Sequence, residues 1–140
     1  MQIFCFHGIG LDSERAYRYL GESGEMKITN PVAFVDGDGT VPLISLSYLC
    51  SSGWRGPRLN PAGVQVRTRE YAHRTAGPLA GRSNANASDH VDILGNSEMI
   101  GDILKVVSGE GAEIADRIES AIGLISRRVD ANLRRAAAGE

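Results

Sequence analysis

Val32-Ala33-Phe34-Val35-Asp36-Gly37-Asp38-Gly39-Thr40-Val41-Pro42 is the stretch whose reading decides the fold. A run of β-branched and aromatic residues stops abruptly at two carboxylates set among glycines. The run predicts a buried parallel strand, and the glycines predict a tight turn at its C-terminal end. In open α/β sheets, that end is where chemistry is usually placed. Thr40 is a candidate cap for a following helix, with Pro42 in the first turn.

Working outward, Gln2-Ile3-Phe4-Cys5-Phe6 is another strand pattern, closed by a His7-Gly8-Ile9-Gly10 turn. Residues Asp12 to Tyr19 read as a short helix or loop, capped by Asp12 or Ser13. Gly21 to Asn30 is polar, with Met26-Lys27-Ile28 as a short hairpin strand. On the other side, Leu43 to Cys50 fits two turns of helix, ended by Ser51-Ser52-Gly53. Trp54 to Pro61 is a loop punctuated by Gly and Pro. Val64 to Tyr71 alternates like a strand. Arg74 to Asp89 is a long loop rich in Gly, Ala, Ser and Asn, of a length that is more often functional than idle. Ile100, Ile103, Leu104 and Val107 place an amphipathic helix over Ser97 to Val107. Ile114, Ile118, Ile122, Ile125, Val129 and Leu133 place a second. Its acids (Glu113, Asp116, Glu119) lie early and its arginines (Arg127, Arg128, Arg134, Arg135) late, as the helix macrodipole favours.

A length of 140 residues is one domain with room for a core. The net charge of -2 supplies no basic field, so no nucleic-acid partner is expected. No apolar run is long enough to span a bilayer, and no signal-peptide pattern is expected at the start. Cys5 and Cys50 are too few for a disulfide framework; one bridge and two buried thiols are the alternatives.

Asp38 and His90 fit two members of a Ser-His-Asp triad. The order strand, Asp, helix, strand, long loop, His, helix matches the α/β-hydrolase layout, in which the serine precedes both. A carboxylate there holds the imidazole tautomer while the other ring nitrogen takes a serine proton. The plainer alternative is that Asp36 and Asp38 shape a turn and His90 caps a helix. His73, at the end of a strand pattern, is the competing histidine. Asp36-x-Asp38-x-Thr40-Val41 also fits the first motif of Mg²⁺-dependent phosphatases with an aspartyl nucleophile. That chemistry further needs a later Lys and an acidic pair at a strand end, whereas the lysines are Lys27 and Lys105 and Asp102 falls within a helix pattern. An EF-hand starting at Asp36 fails, because Val41 stands where Gly is needed and Ser47 where Glu is needed. Asn86-Ala87-Ser88 is a glycosylation sequon that chance readily produces.

The blocks together are more specific than any one motif. Asp36-Gly37-Asp38-Gly39-Thr40-Val41-Pro42-Leu43 resembles the acid-bearing block of the phospholipid:diacylglycerol acyltransferases, relatives of lecithin:cholesterol acyltransferase. Gly8-Ile9-Gly10 with Glu14-Arg15-Ala16-Tyr17 resembles the family's Thr-Glu-Arg-Ala-Tyr block, Ser13 standing for the Thr. Tyr48-Leu49-Cys50, Gly53-Trp54-Arg55-Gly56, Asn60-Pro61-Ala62-Gly63 and Arg69-Glu70-Tyr71-Ala72-His73 continue the likeness. His90-Val91-Asp92-Ile93-Leu94-Gly95-Asn96 resembles the His block. The likeness runs from about Ile3 to Gly109, with His7 standing where the family usually has Tyr.

The resemblance implies an α/β fold: residues 1–140 as one partial domain, the C-terminal portion of an α/β-hydrolase acyltransferase domain, incomplete as a sheet. Its opening strand is then expected to lack a neighbour. Asp38 aligns with the triad Asp and His90 with the triad His. Cys50 aligns with a cysteine that is disulfide-bonded in lecithin:cholesterol acyltransferase, and Cys5 lies beside the partner's position. The implied activity moves a fatty acyl chain from phospholipid to diacylglycerol, forming triacylglycerol, with no acyl-CoA, metal or other cofactor. A phospholipase, or a non-catalytic binding remnant, is the alternative. The sequence contains no Gly-x-Ser-x-Gly turn, so the chain alone is expected to be inactive. The resemblance also implies the endoplasmic reticulum membrane, with membrane attachment through an upstream part.

Overall fold

The computed structural model describes residues 1–20, 27–74 and 86–139. The polar stretch after Leu20 and most of the long loop after Arg74 lie outside those residues. The architecture is mixed α/β, with two two-stranded sheets and three α-helices among the described residues.

Strand β1 (Gln2–Ile9) pairs in parallel with β4 (Gln65–Ala72), from Gln2 opposite Gln65 to Ile9 opposite Ala72. The opening strand therefore has a neighbour, contrary to expectation, because a later strand in the chain returns beside it. Between them run a hairpin and a helix, the long crossover that parallel strands require. Strands β2 (Leu11–Leu20) and β3 (Lys27–Gly37) form that hairpin. Helix α1 (Leu43–Ser51) follows, then α2 (Ser97–Val107) and α3 (Ile122–Ala138) after β4.

Three expectations fail here, each for a tertiary reason. Asp12 to Tyr19 is strand, not helix or loop: β3 offers this segment an antiparallel ladder, with irregularities near Ala16, and pairing overrides local preference. The Val32–Val35 run is antiparallel and only half-buried, with Phe34 52% exposed. An unbroken apolar run does not reveal which partner, or how many, the strand will have. The long C-terminal helix begins at Ile122 rather than near Ile114. Arg117 bridges to Arg69 of β4 instead, and the buried Glu70 carboxylate takes the Glu119 and Ser120 amides at 2.6 and 2.7 Å. The early acids thus leave the helix: Asp116 pairs with Arg55 and Glu119 with Arg117.

Ile9, Leu43 and Ile122 form the core cluster, with Ala72 and Ile125 packed against it, so β1, α1 and α3 meet there. A Cys5–Cys50 disulfide ties β1 to α1. Arg55, in the Gly-Trp-Arg-Gly segment, donates from Nη1 and Nη2 to the two Asp116 carboxylate oxygens, each at 2.9 Å. Its Nε donates to the Cys50 carbonyl. Asp116 also accepts the Thr68 amide, so one ion pair joins the loop after α1 to β4. Asn96 caps α2 by accepting the Glu98 and Met99 amides. The amphipathic helix is present, but it presents its apolar stripe outward. Leu104 is 59% and Val107 73% exposed, while Met99 and Asp102 face in.

Candidate active site

The turn after β3 is built around Asp38. Its Oδ1 accepts the Thr40 amide at 3.0 Å and the Val41 amide at 2.7 Å. Thr40 therefore does not cap α1; the helix starts from Pro42, and the aspartate serves the turn instead. Asp38 is 5% exposed. Burial raises its carboxyl, but the bonds from Val41, His90 and Thr40 outweigh that and hold it below the usual carboxylate range.

The remaining oxygen faces His90. Asp38 Oδ2 lies 2.8 Å from His90 Nδ1, and the His90 amide donates to the Asp38 carbonyl at 2.9 Å. Two bonds thus join residues 52 positions apart. An ionised carboxylate can only accept, so Nδ1 carries a proton and Nε2 is the nitrogen left for proton exchange. Nε2 makes no hydrogen bond among the described residues, and the side chain is 49% exposed. This arrangement can hold a tautomer, stabilise an imidazolium and accept a proton from an incoming hydroxyl.

The segment before His90 is brought in by close packing. A Cβ on Gly8 would lie 1.8 Å from the Ser88 carbonyl oxygen, so only glycine lets β1 approach it. Ser88 is fully buried, and its amide donates to His73 Nδ1 at 3.3 Å. His73 is thereby a support beside the turn and makes no bond to Asp38. Asp36 points elsewhere, accepting the Gly10 amide at 2.8 Å. The two carboxylates that fitted a phosphatase motif thus make separate bonds. Among the described residues, no group of three His, Cys, Asp or Glu side chains is placed to hold a metal.

Two buried polar centres were not singled out from the sequence. Glu70 bonds the chain leading into α3, with His7 Nε2 3.7 Å away. Asp102, inside α2, accepts the Tyr71 hydroxyl at 2.8 Å and lies 2.7 Å from Arg69 Nε. Burial and this partner push the Tyr71 hydroxyl up, well above an ordinary phenol. The only sequence signal for either was a charge within an otherwise apolar pattern.

A profile of the lecithin:cholesterol acyltransferase family matches residues 1–97. The chain belongs to the lecithin:cholesterol acyltransferase family. Among its relatives in that family, it is 35% identical to phospholipid:diacylglycerol acyltransferase 1 of Arabidopsis thaliana, over 95% of this chain and 23% of the relative. It is 34% identical to the phospholipid:diacylglycerol acyltransferase of Schizosaccharomyces pombe, over 93% of this chain and 22% of the relative. The Saccharomyces cerevisiae enzyme of that name is 37% identical over 84% of this chain and 19% of the relative. The chain thus spans about a quarter or less of the relatives it matches. No solved structure matches it. The family match covers both Asp38 and His90.

Proposed function

We propose that this chain carries the acid and base of a Ser-His-Asp acyltransferase that moves a fatty acyl group from phospholipid to diacylglycerol. The observation that carries the reading is the Asp38–His90 pair: a buried, ionised carboxylate bonded to Nδ1, with Nε2 left open. The relatives' names supply the substrate class. No Gly-x-Ser-x-Gly turn occurs in these residues, so the nucleophile is proposed to come from sequence outside them, in a larger α/β-hydrolase domain.

In this mechanism, His90 Nε2 takes the serine proton as the oxygen attacks the acyl ester carbonyl. His90 then returns the proton to the departing lysophospholipid oxygen. The diacylglycerol hydroxyl next gives its proton to His90 and attacks the acyl-enzyme; His90 passes that proton to the departing serine oxygen, releasing triacylglycerol and free serine. Asp38 holds the ring and balances the imidazolium throughout. The endoplasmic reticulum membrane is part of the same proposal, supported by the family likeness alone. No helix among the described residues is long and apolar enough to cross a membrane.

The test is the full-length protein, assayed for labelled triacylglycerol from labelled phospholipid. Asp38→Asn and His90→Ala are each expected to lower kcat by about 10³-fold or more. Asp36→Asn keeps an acceptor for Gly10 and is expected to stay within about threefold of wild type. Activity surviving either Asp38→Asn or His90→Ala would falsify the assignment. A Mg²⁺-dependent phosphatase activity, measured separately and lost in Asp36→Asn, would favour the aspartyl-phosphatase chemistry instead. Labelled free fatty acid in place of triacylglycerol would make the enzyme a phospholipase using the same pair.

A further inference from the structure

We propose that Ser13 is a positioning residue for Asp38: its buried hydroxyl accepts the Gly39 amide and so holds the turn that aims the carboxylate at His90. The inference rests on the catalytic reading of the Asp38–His90 pair.

Ser13 lies on β2 and is fully buried. Its Oγ is 2.9 Å from the Gly39 nitrogen. The same hydroxyl fills the space beside Gly37, where a Cβ would come within 2.3 Å of Oγ. Ser13 therefore touches the residues on both sides of Asp38. Gly39 is in the left-handed region at φ +88°, and the two amides that grip Asp38 Oδ1 come directly after it. Their direction depends on how the Gly39 peptide is set. Among the described residues, the Gly39 N–H has no other acceptor. Without the hydroxyl this donor is left unpaired, and rotating the peptide toward water becomes favourable. That rotation takes the Thr40 and Val41 amides off Oδ1 and turns Oδ2 from His90. The hydroxyl's own proton has only a long contact, 3.4 Å, to the Leu11 carbonyl, so its main service is as acceptor.

The experiment uses the full-length protein with Ser13→Ala and Ser13→Thr, and measures transacylation per serine titrated by a fluorophosphonate. In Ser13→Ala, kcat per titrated site is expected to fall about tenfold or more, with KM within about twofold. Ser13→Thr keeps the hydroxyl and is expected to recover to within about threefold of wild type. A purely structural role would lower the number of titrated sites and leave the rate per site unchanged; that result overturns the proposal. So does a Ser13→Thr variant as slow as Ser13→Ala. If Ser13→Ala does not fold, Ser13→Cys keeps the shape with a poor acceptor, and wild-type kcat per site in it overturns the proposal. Asp38→Asn is run alongside: its survival sinks the catalytic reading itself, whereas its failure beside an unaffected Ser13→Ala sinks only the role of Ser13.

Discussion

Glu70 shows how much one side chain decides. It is fully buried and its carboxylate accepts the Glu119 amide, the Ser120 amide and the Ser120 hydroxyl. Burial raises its carboxyl, but the neighbouring His7 imidazole and these donors outweigh that and lower it. The group stays charged and fixes where the chain turns into α3. Glu70→Gln replaces one accepting oxygen with a donor in a site organised around acceptors. It is expected to cost about 1–3 kcal/mol, read as a lower denaturant midpoint at unchanged slope. A stability equal to wild type would mean that the Glu70 bonds do not survive in solution. Glu70 falls in phase with Val66 and Thr68 on the inward face of β4, and that phase is the one local mark it carried.

Among the elements, α1 is held from two directions. Its apolar side joins the core through Leu43, and its end is tied to β1 through Cys50. The bridge closes a span of 45 residues that contains the hairpin and the Asp38 turn. Cross-linking a loop of that size removes unfolded-chain freedom worth about 2–4 kcal/mol. The double variant Cys5→Ala/Cys50→Ala is therefore expected to unfold at lower denaturant by that amount, while a single thiol pair oxidises in the native chain. Thiol counting under denaturing conditions checks the second point: two free thiols in protein from an oxidising compartment would refute the bridge. Both residues were visible as candidates in the sequence, but spacing along the chain does not say whether two side chains meet. α2 teaches the converse. Its periodicity was legible, and Asn96 caps it, yet its apolar stripe is exposed because Asp102 faces inward to Tyr71 and Arg69. Period identifies a helix; it does not identify which face finds a partner.

Over the whole molecule, carboxylates are held in their charged form by specific partners. Asp38, Glu70, Glu98, Asp116 and Asp130 all lie below their ordinary values. For Glu98 and Asp116 the first cause is an arginine, Arg117 and Arg55 respectively, and for Asp130 it is the Ser52 hydroxyl. At acid pH the unfolded chain binds protons at these groups before the folded chain does, so protonation favours unfolding. Their contribution is complete above about pH 5, weakens through the ordinary carboxylate range near pH 4, and is lost below the folded-state values. Denaturant melts between pH 7 and pH 3 are expected to be flat down to about pH 5 and to fall thereafter. A profile still flat at pH 3 would show that the partnered carboxylates do not carry stability.

The sequence by itself determined the local pieces: strands over Gln2–Phe6 and Val64–Tyr71, helices over Leu43–Cys50 and Ser97–Val107, and a turn at Asp38, although His7 to Ile9, read as a turn, continue the first strand beside β4. Each follows from side chains a few positions apart, through periodicity, capping and glycine. It also marked Asp38 and His90, because their blocks resemble a family. Only the tertiary structure decided the strand state of Leu11–Leu20, the late start of α3, the Cys5–Cys50 bridge and the 2.8 Å approach of Asp38 to His90. These depend on where distant segments lie in space. A ladder partner, a buried carboxylate or a serine under a turn changes the local outcome, and none of them is written in the neighbouring residues.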